Sequence, residues 1–272
     1  MQTLKRWNEI CRFVSLNRLD GSLDSKSKIA NSSTKRVFFK HDVEANPERA
    51  LDIARIEAEH GIQSVFYFQF DVFVESISIA SQIQNLGHEI GYHYDVLDAN
   101  NGCFELAILD FQKSINKFHE YGFAIETVCP HGNPVLVRDG WNSNKDFFRN
   151  KNVRDLFPGI FDIVVDARKV FGETFTYYTD AGYSWKKVTS IDENDREQIP
   201  DIDIIDLIKD IESSNSEIII LSNHPHRWMR SPIRAFSKKY LFVTVRYLAR
   251  ILTKITFINT LMSKFYFIAR RF

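Results

Sequence analysis

From residue 36 onward, short apolar runs alternate with amphipathic stretches. Val37-Phe38-Phe39 reads as a buried strand that ends abruptly in His41-Asp42-Val43-Glu44. Asn46-Pro47 opens a helix, with Pro47 at a position where its missing N–H costs nothing. Leu51, Ile53, Ala54, Ile56 and Ala58 line that helix until Gly61 stops it. Ser64 to Phe70, rich in Val, Phe and Tyr, predicts a second strand, and Val74 to Asn85 a helix closed by Gly87. A short strand over 88–92 leads to His93. A helix over Phe104 to Tyr121 precedes the strand Ile125 to Cys129, which runs into Pro130-His131-Gly132-Asn133-Pro134. Further strands are expected over 160–165, 176–179 and 217–222, with a helix over 202–213 before the last. The polar, Ser-rich stretch 19–35 reads as a loop leading into this series. Repeated alternation of strand and helix predicts a parallel sheet, open or closed, and no internal repeat is present.

Composition narrows the class. The 272 residues, 44% hydrophobic and 26% charged, suit one globular domain, a length that α/β barrels commonly fill. A net charge of zero gives no global signal for nucleic acid. Cys11, Cys103 and Cys129 are too few and too scattered for a disulfide framework, and their spacing matches no zinc motif. The first twenty residues carry Lys5, Arg6, Glu9, Arg12 and Arg18 and no long apolar run, so no secretory signal is read there. No stretch approaches the roughly 18 uncharged apolar residues of a membrane span. The expected setting is reducing and cytoplasmic.

The acids and histidines gather at the expected strand ends. His41, Asp42 and Glu44 follow the first strand, His93 the third and His131 the fourth; Asp180 follows a later one, and His224 follows Ile218 to Leu221. In a parallel sheet all these ends lie on one face, so residues distant in sequence converge in space. Carboxylate plus imidazole is the usual ligand mixture for zinc or a similar divalent ion. With a base and a proton donor nearby, such a set makes an amide or ester hydrolase. No G-x-S-x-G, P-loop or G-x-G-x-x-G pattern occurs. Plainer roles compete: Asp42 and Glu44 also suit a helix N-terminus, His88 a bond to a backbone carbonyl, and His131 a turn shaped by Gly and Pro. Asp180 and Trp185 read equally as loop and core residues, and His226 as a solvated neighbour of His224.

His41-Asp42-Val43-Glu44, Gly87-His88-Glu89-Ile90-Gly91-Tyr92-His93, the His131-Gly132-Asn133-Pro134 turn and Asn223-His224-Pro225 resemble, in this order, the motifs of the polysaccharide deacetylase superfamily. The resemblance covers about residues 36–228, and the Gly-His-Glu-Ile-Gly frame is its most specific part. It implies a distorted (β/α) barrel, of about seven parallel strands here, that acts on N-acyl groups of sugars. It also implies Asp42 as general base, Glu44 and His93 as ligands of a divalent ion such as Zn2+, and His224 as general acid. The best-understood branch carries another histidine four residues after the first; here that position is Leu97. His131, at the neighbouring strand end, is the candidate replacement ligand, with Asp180 and His41 behind it. The family's arginine-containing third motif is likewise replaced by the His131 turn.

From residue 229 on, ten bases occur and no acid. Leu241, Val245, Leu248, Leu252, Ile255 and Met262 recur at helical spacing, with Arg246, Arg250 and Lys254 four residues apart. Such a segment can be a last barrel helix or a basic amphipathic helix on an anionic membrane surface. The chain is thus divided into a lead-in over 1–35, a barrel over 36–228 and a basic helical tail over 229–272. The expected activity is metal-dependent removal of an N-acyl group from a sugar or lipid-linked glycan in surface polysaccharide synthesis, with membrane contact through 240–272. A non-catalytic sugar binder, or a hydrolase of a non-sugar amide, are the alternatives.

Overall fold

The computed structural model describes residues 2–19, 35–133, 136–171, 175–188 and 198–252. In chain order its elements begin with α1 (Leu4–Leu16), β1 (Arg36–Val43), α2 (Pro47–Glu59), β2 (Val65–Phe68), α3 (Phe70–Glu75), α4 (Ile77–Asn85), β3 (Glu89–Tyr94) and α5 (Val96–Ala99). They continue with α6 (Phe104–Glu120), β4 (Thr127–Pro130), α7 (Lys145–Arg149), α8 (Lys151–Leu156), β5 (Phe161–Asp162), α9 (Ala167–Phe171) and β6 (Phe175–Thr179). The last are β7 (Trp185–Val188), β8 (Gln198–Ile202), α10 (Ile204–Ser213), β9 (Ile218–Asn223) and α11 (Pro232–Leu252).

One sheet runs in the order β5-β4-β3-β2-β1-β9-β6-β7-β8. The seven strands from β5 to β6 are mutually parallel; β7 is antiparallel to both β6 and β8. The sheet curls into a half-barrel, and among the described residues β5 and β8 do not pair to close it. The fold is therefore a distorted β/α barrel with seven parallel strands, extended at one edge by the β7–β8 hairpin.

Both faces of the central strands are covered, which is why they read as near-continuous apolar runs. Alternation still sorts the side chains. Val37, Phe39 and Val43 of β1, Phe66 and Phe68 of β2 and Tyr92 and Tyr94 of β3 pack outward against the helices. Phe38, Val65, Tyr67, Cys129, Ile218 and Ile220 fill the inside of the curl. Gly91 lies on that inner side because a methyl group there would meet the Tyr67 ring at 2.5 Å. That glycine of the motif is thus a packing requirement.

Several local differences from the sequence reading have identifiable causes. The helix expected from Val74 begins at Phe70 and breaks at Ser76, whose hydroxyl donates to the Val72 carbonyl and competes with the backbone ladder. The strand expected over 160–165 stops at Asp162, whose carboxylate accepts the backbone N–H groups of Val164 and Val165 and turns the chain. Residues 4–16 form a helix whose Trp7, Ile10, Cys11 and Val14 are fully buried in the same outer core as the barrel. Its N-terminus is tied to the segment between β9 and α11, the Leu4 N–H donating to the Met229 carbonyl. α11 touches the body through Ala235, which is buried, and Phe242, whose ring lies 5.0 Å from that of Tyr183. The tail residues 253–272, with Lys254, Ile255 and Met262, lie outside the described residues.

Candidate functional site

Strand alternation and parallel register place the chemistry. Lys40 and Asp42 follow Phe38 on the inner side of β1, His93 follows Gly91 on β3, and His224 follows Ser222 past the end of β9. β1 lies between β2 and β9, so these residues meet at the carboxyl ends of adjacent strands. Glu44, two residues beyond Asp42, points to the same place. The helix that follows is capped by Asn46 in a left-handed conformation (φ 49°), with no side-chain hydrogen bond, so neither acid serves as its cap.

Glu44 Oε1 lies 3.4 Å from His93 Nε2 and 3.4 Å from His131 Nε2. These three ligand atoms lie within 4.8 Å of one another. His93 Nδ1 is 3.1 Å from the Cys129 carbonyl oxygen, to which it donates, and its Nε2 faces Glu44. One carboxylate oxygen and two imidazole nitrogens converging in this way suit a zinc-like ion. A second grouping, Asp42, His93 and Cys129, is also compact. It is the poorer set, because His93 Nδ1 is already committed and burial holds the Cys129 thiol above its ordinary value, hence protonated. Burial would also raise Glu44, but His224, His93, His131 and His226 around it reverse this and hold its carboxyl well below the usual range.

Lys40 Nζ lies 2.7 Å from each oxygen of Asp42, and both residues are buried. Burial favours the neutral carboxyl; the Lys40 ammonium, then His93 and His224, outweigh it and keep Asp42 ionised far below the ordinary range. Asp42 is 3.9 Å from His93 Nδ1 and 4.0 Å from His224 Nε2, so it stands beside the proposed ligand set without belonging to it.

His224 is held from behind. Its Nδ1 lies 2.6 Å from Asp180 Oδ1, and its backbone N–H donates to the same oxygen at 3.1 Å. Asp180 is fully buried and also accepts from Trp228 Nε1 (2.8 Å) and Gln2 Nε2 (3.1 Å). Burial would raise this carboxyl, but His224 and Arg227 hold it below its ordinary value. With Nδ1 committed to Asp180, His224 Nε2 faces Glu44 Oε1 at 3.7 Å.

The structure thus brings Asp42, Glu44, His93, His131 and His224 together. Other residues singled out from the sequence lie elsewhere. His41 points to the helix side of β1, between Glu57 and Asn223, and is no reserve ligand. Asp180 reaches His224 instead of the ligand set. Trp185 is a buried core residue. His226 is not a solvated neighbour: burial pushes its imidazole down to about 3. Leu97 is fully buried in the outer core, so the position one helical turn after His93 faces away from the site.

Two contributors escaped sequence reasoning. Lys40 was one lysine at the end of an apolar strand, and its spacing of two from Asp42 is the only signal that both face inward. Asp98 was inconspicuous beside Leu97. Its carboxylate accepts from Arg138 twice (2.7 and 2.7 Å), from Trp141 Nε1 (2.8 Å) and from Asn144 Nδ2 (3.0 Å). Asn144 in turn donates to the His131 carbonyl at 2.9 Å. The turn of helix that lacks a histidine therefore clamps the loop that carries one.

No protein-family model matches the chain, and no curated protein matches it. Among solved structures it is similar to a CE4 esterase from Streptococcus mutans at 15% identity and a TM-score of 0.45, covering 84% of this chain and 89% of that one. It is also similar to a CE4 family pseudoenzyme from Bacillus anthracis, at 14% identity and a TM-score of 0.43 over 79% of this chain. A third similarity is to the peptidoglycan deacetylase PdaC from Bacillus subtilis, at 12% identity and a TM-score of 0.32 over 82% of this chain and 98% of that one. The chain spans 62% of the length of the Bacillus anthracis protein.

Proposed function

We propose that this chain is a metal-dependent hydrolase of the polysaccharide deacetylase type, removing an N-acyl group from a sugar. The observation that carries the reading is the convergence of Glu44, His93 and His131 beside a Lys40-held Asp42 and an Asp180-held His224. Glu44, His93 and His131 would hold the ion, with His131 in place of the ligand missing at Leu97. A divalent ion bound there supplies Lewis acidity toward the acyl carbonyl and lowers the pKa of water.

The chain's own groups account for the proton traffic. Asp42 is ionised and gives one lone pair on each oxygen to Lys40, which leaves others free to take a proton from the attacking water. The water oxygen bonds to the acyl carbon. His224, steadied through Nδ1 by Asp180, gives a proton from Nε2 to the amine nitrogen as the carbon–nitrogen bond breaks. Acid and base thus flank the ligand set from neighbouring strand ends. A sugar amide in surface polysaccharide synthesis, free or lipid-linked, is the substrate class we assign.

The test is acetate release from N-acetylglucosamine oligomers by zinc- or cobalt-loaded protein, beside Asp42→Asn and His224→Ala. Release by the wild type, lost in both variants, is the expected result. Metal bound at the site without release from any N-acylated sugar would overturn the hydrolase reading in favour of a sugar-binding module.

A further inference from the structure

The last described helix, α11, carries a set of apolar residues that are exposed. Ile233, Phe236, Tyr240, Val243 and Tyr247 recur at intervals of three and four, so they form one stripe along α11. All five are exposed, Ile233 by 78% and Tyr247 by 65%. The Phe236 and Tyr240 rings lie against each other with centroids 4.2 Å apart. The opposite side of the helix, through Ala235 and Phe242, makes the contact with the body. At 3.6 residues per turn, Lys238 and Lys239 fall on either side of that contact line, both half-buried. Long basic side chains at such borders can rest their stems on apolar surface and keep the charge in water.

Charge decides what can cover this arc. The chain's 35 bases and 35 acids balance, yet residues 229–272 hold ten bases and no acid, so the preceding 228 residues carry an excess of ten acids. Arg230 is committed to Asp52, with both guanidinium contacts on that carboxylate. Arg234, Lys238, Lys239, Arg246 and Arg250 also belong to α11, whose sequence contains no acidic residue. Two copies of this arc placed face to face would oppose base to base. No described helix is long and apolar enough to cross a membrane. An outward apolar arc with aromatic residues and basic borders is the pattern of a helix lying in a lipid headgroup layer.

We infer that α11 lies on an anionic bilayer surface, with the Ile233–Phe236–Tyr240–Val243–Tyr247 stripe in the headgroup boundary and its bases toward the lipid phosphates. The excess of acids in the rest of the chain confines the contact to this segment. The inference is independent of the hydrolase reading.

Sedimentation of the full chain with vesicles tests it, using phosphatidylcholine alone and phosphatidylcholine with one phosphatidylglycerol in three. We expect at least about tenfold more bound protein on the anionic vesicles, falling as salt is raised. The triple variant Ile233→Ser, Phe236→Ser, Tyr240→Ser keeps every charge and should bind about tenfold less, with an unchanged melting midpoint because these side chains are exposed. Wild-type protein left in the supernatant overturns the inference. So does a triple variant that binds as the wild type does. A wild-type dimer that becomes monomeric in the triple variant, with no vesicle binding by either, assigns the face to a second copy instead.

Discussion

Two histidine–carboxylate clusters sit back to back on β1, one on each face of the sheet. On the helix side, Glu57 and His41 are completely buried. Glu57 accepts from Trp7 Nε1 (2.9 Å) and Ser64 Oγ (2.6 Å) and pairs with His41 Nε2. His88 closes the group, its Nε2–H donating to the Ala54 carbonyl and its Nδ1 accepting from the Ser64 N–H. Burial pushes the His88 imidazole below its ordinary value. On the inner side, Glu44 is 21% exposed, and the nearest nitrogens of His93, His131 and His224 all turn toward it at 3.4 to 3.7 Å. The residue types are the same. In the outer cluster the polar atoms are spent on one another; in the inner one they converge on a shared point that is open to a ligand. The first arrangement holds α1, α2 and the sheet together, and the second is the one we propose as a site.

Separate consequences for stability and chemistry would sharpen that contrast. The largest effect expected is from Asp42→Asn, which should lower kcat on an N-acylated sugar about 10²–10⁴-fold while leaving bound metal nearly unchanged; the melting midpoint should also fall, because the buried Lys40 ammonium loses its counter-charge. Glu57→Ala strands His41, Trp7 and Ser64 in the core; urea unfolding should show a loss of about 3–5 kcal/mol. Placing a histidine one helical turn after His93 with Leu97→His should add no ligand. It should cost about 2–4 kcal/mol of stability by placing a polar ring in the outer core, and metal stoichiometry should stay as it was. A gain in metal affinity in that variant would break the comparison, since it would mean that position 97 can turn to the site. Asp98→Ala, which frees the loop behind His131, is expected to weaken metal affinity about 10–100-fold by titration, with little change in secondary structure.

The architecture was legible where periodicity was unopposed. Around β1 to β4, α2, α4 and α6 follow from helical spacing closed by Gly61, Gly87 and Gly122, and the strands from short apolar runs. The spacing of Trp7, Ile10, Cys11 and Val14 within α1 is equally helical, but Lys5, Arg6, Glu9 and Arg12 between them dilute it, so the segment reads as a polar lead-in. The β7–β8 hairpin carries no sharp turn signal to announce it. For the site, parallel strand ends are enough to bring Asp42, Glu44, His93, His131 and His224 to one face. What a linear reading lacks is the side to which each residue turns. His41 and Asp42 are neighbours in sequence, yet one belongs to the sealed cluster and the other to the open one, and Lys40 is recognisable only once alternation is fixed.

The central claim is that the inner cluster binds an ion through Glu44, His93 and His131. Bound metal should be measured in purified wild-type protein after reloading with zinc, beside Glu44→Ala and His93→Ala. About one ion per chain in the wild type, lost in both variants while the fold persists, is the predicted result. A wild type that takes up no zinc, cobalt or nickel, or variants that hold the ion as firmly as the wild type, would contradict it.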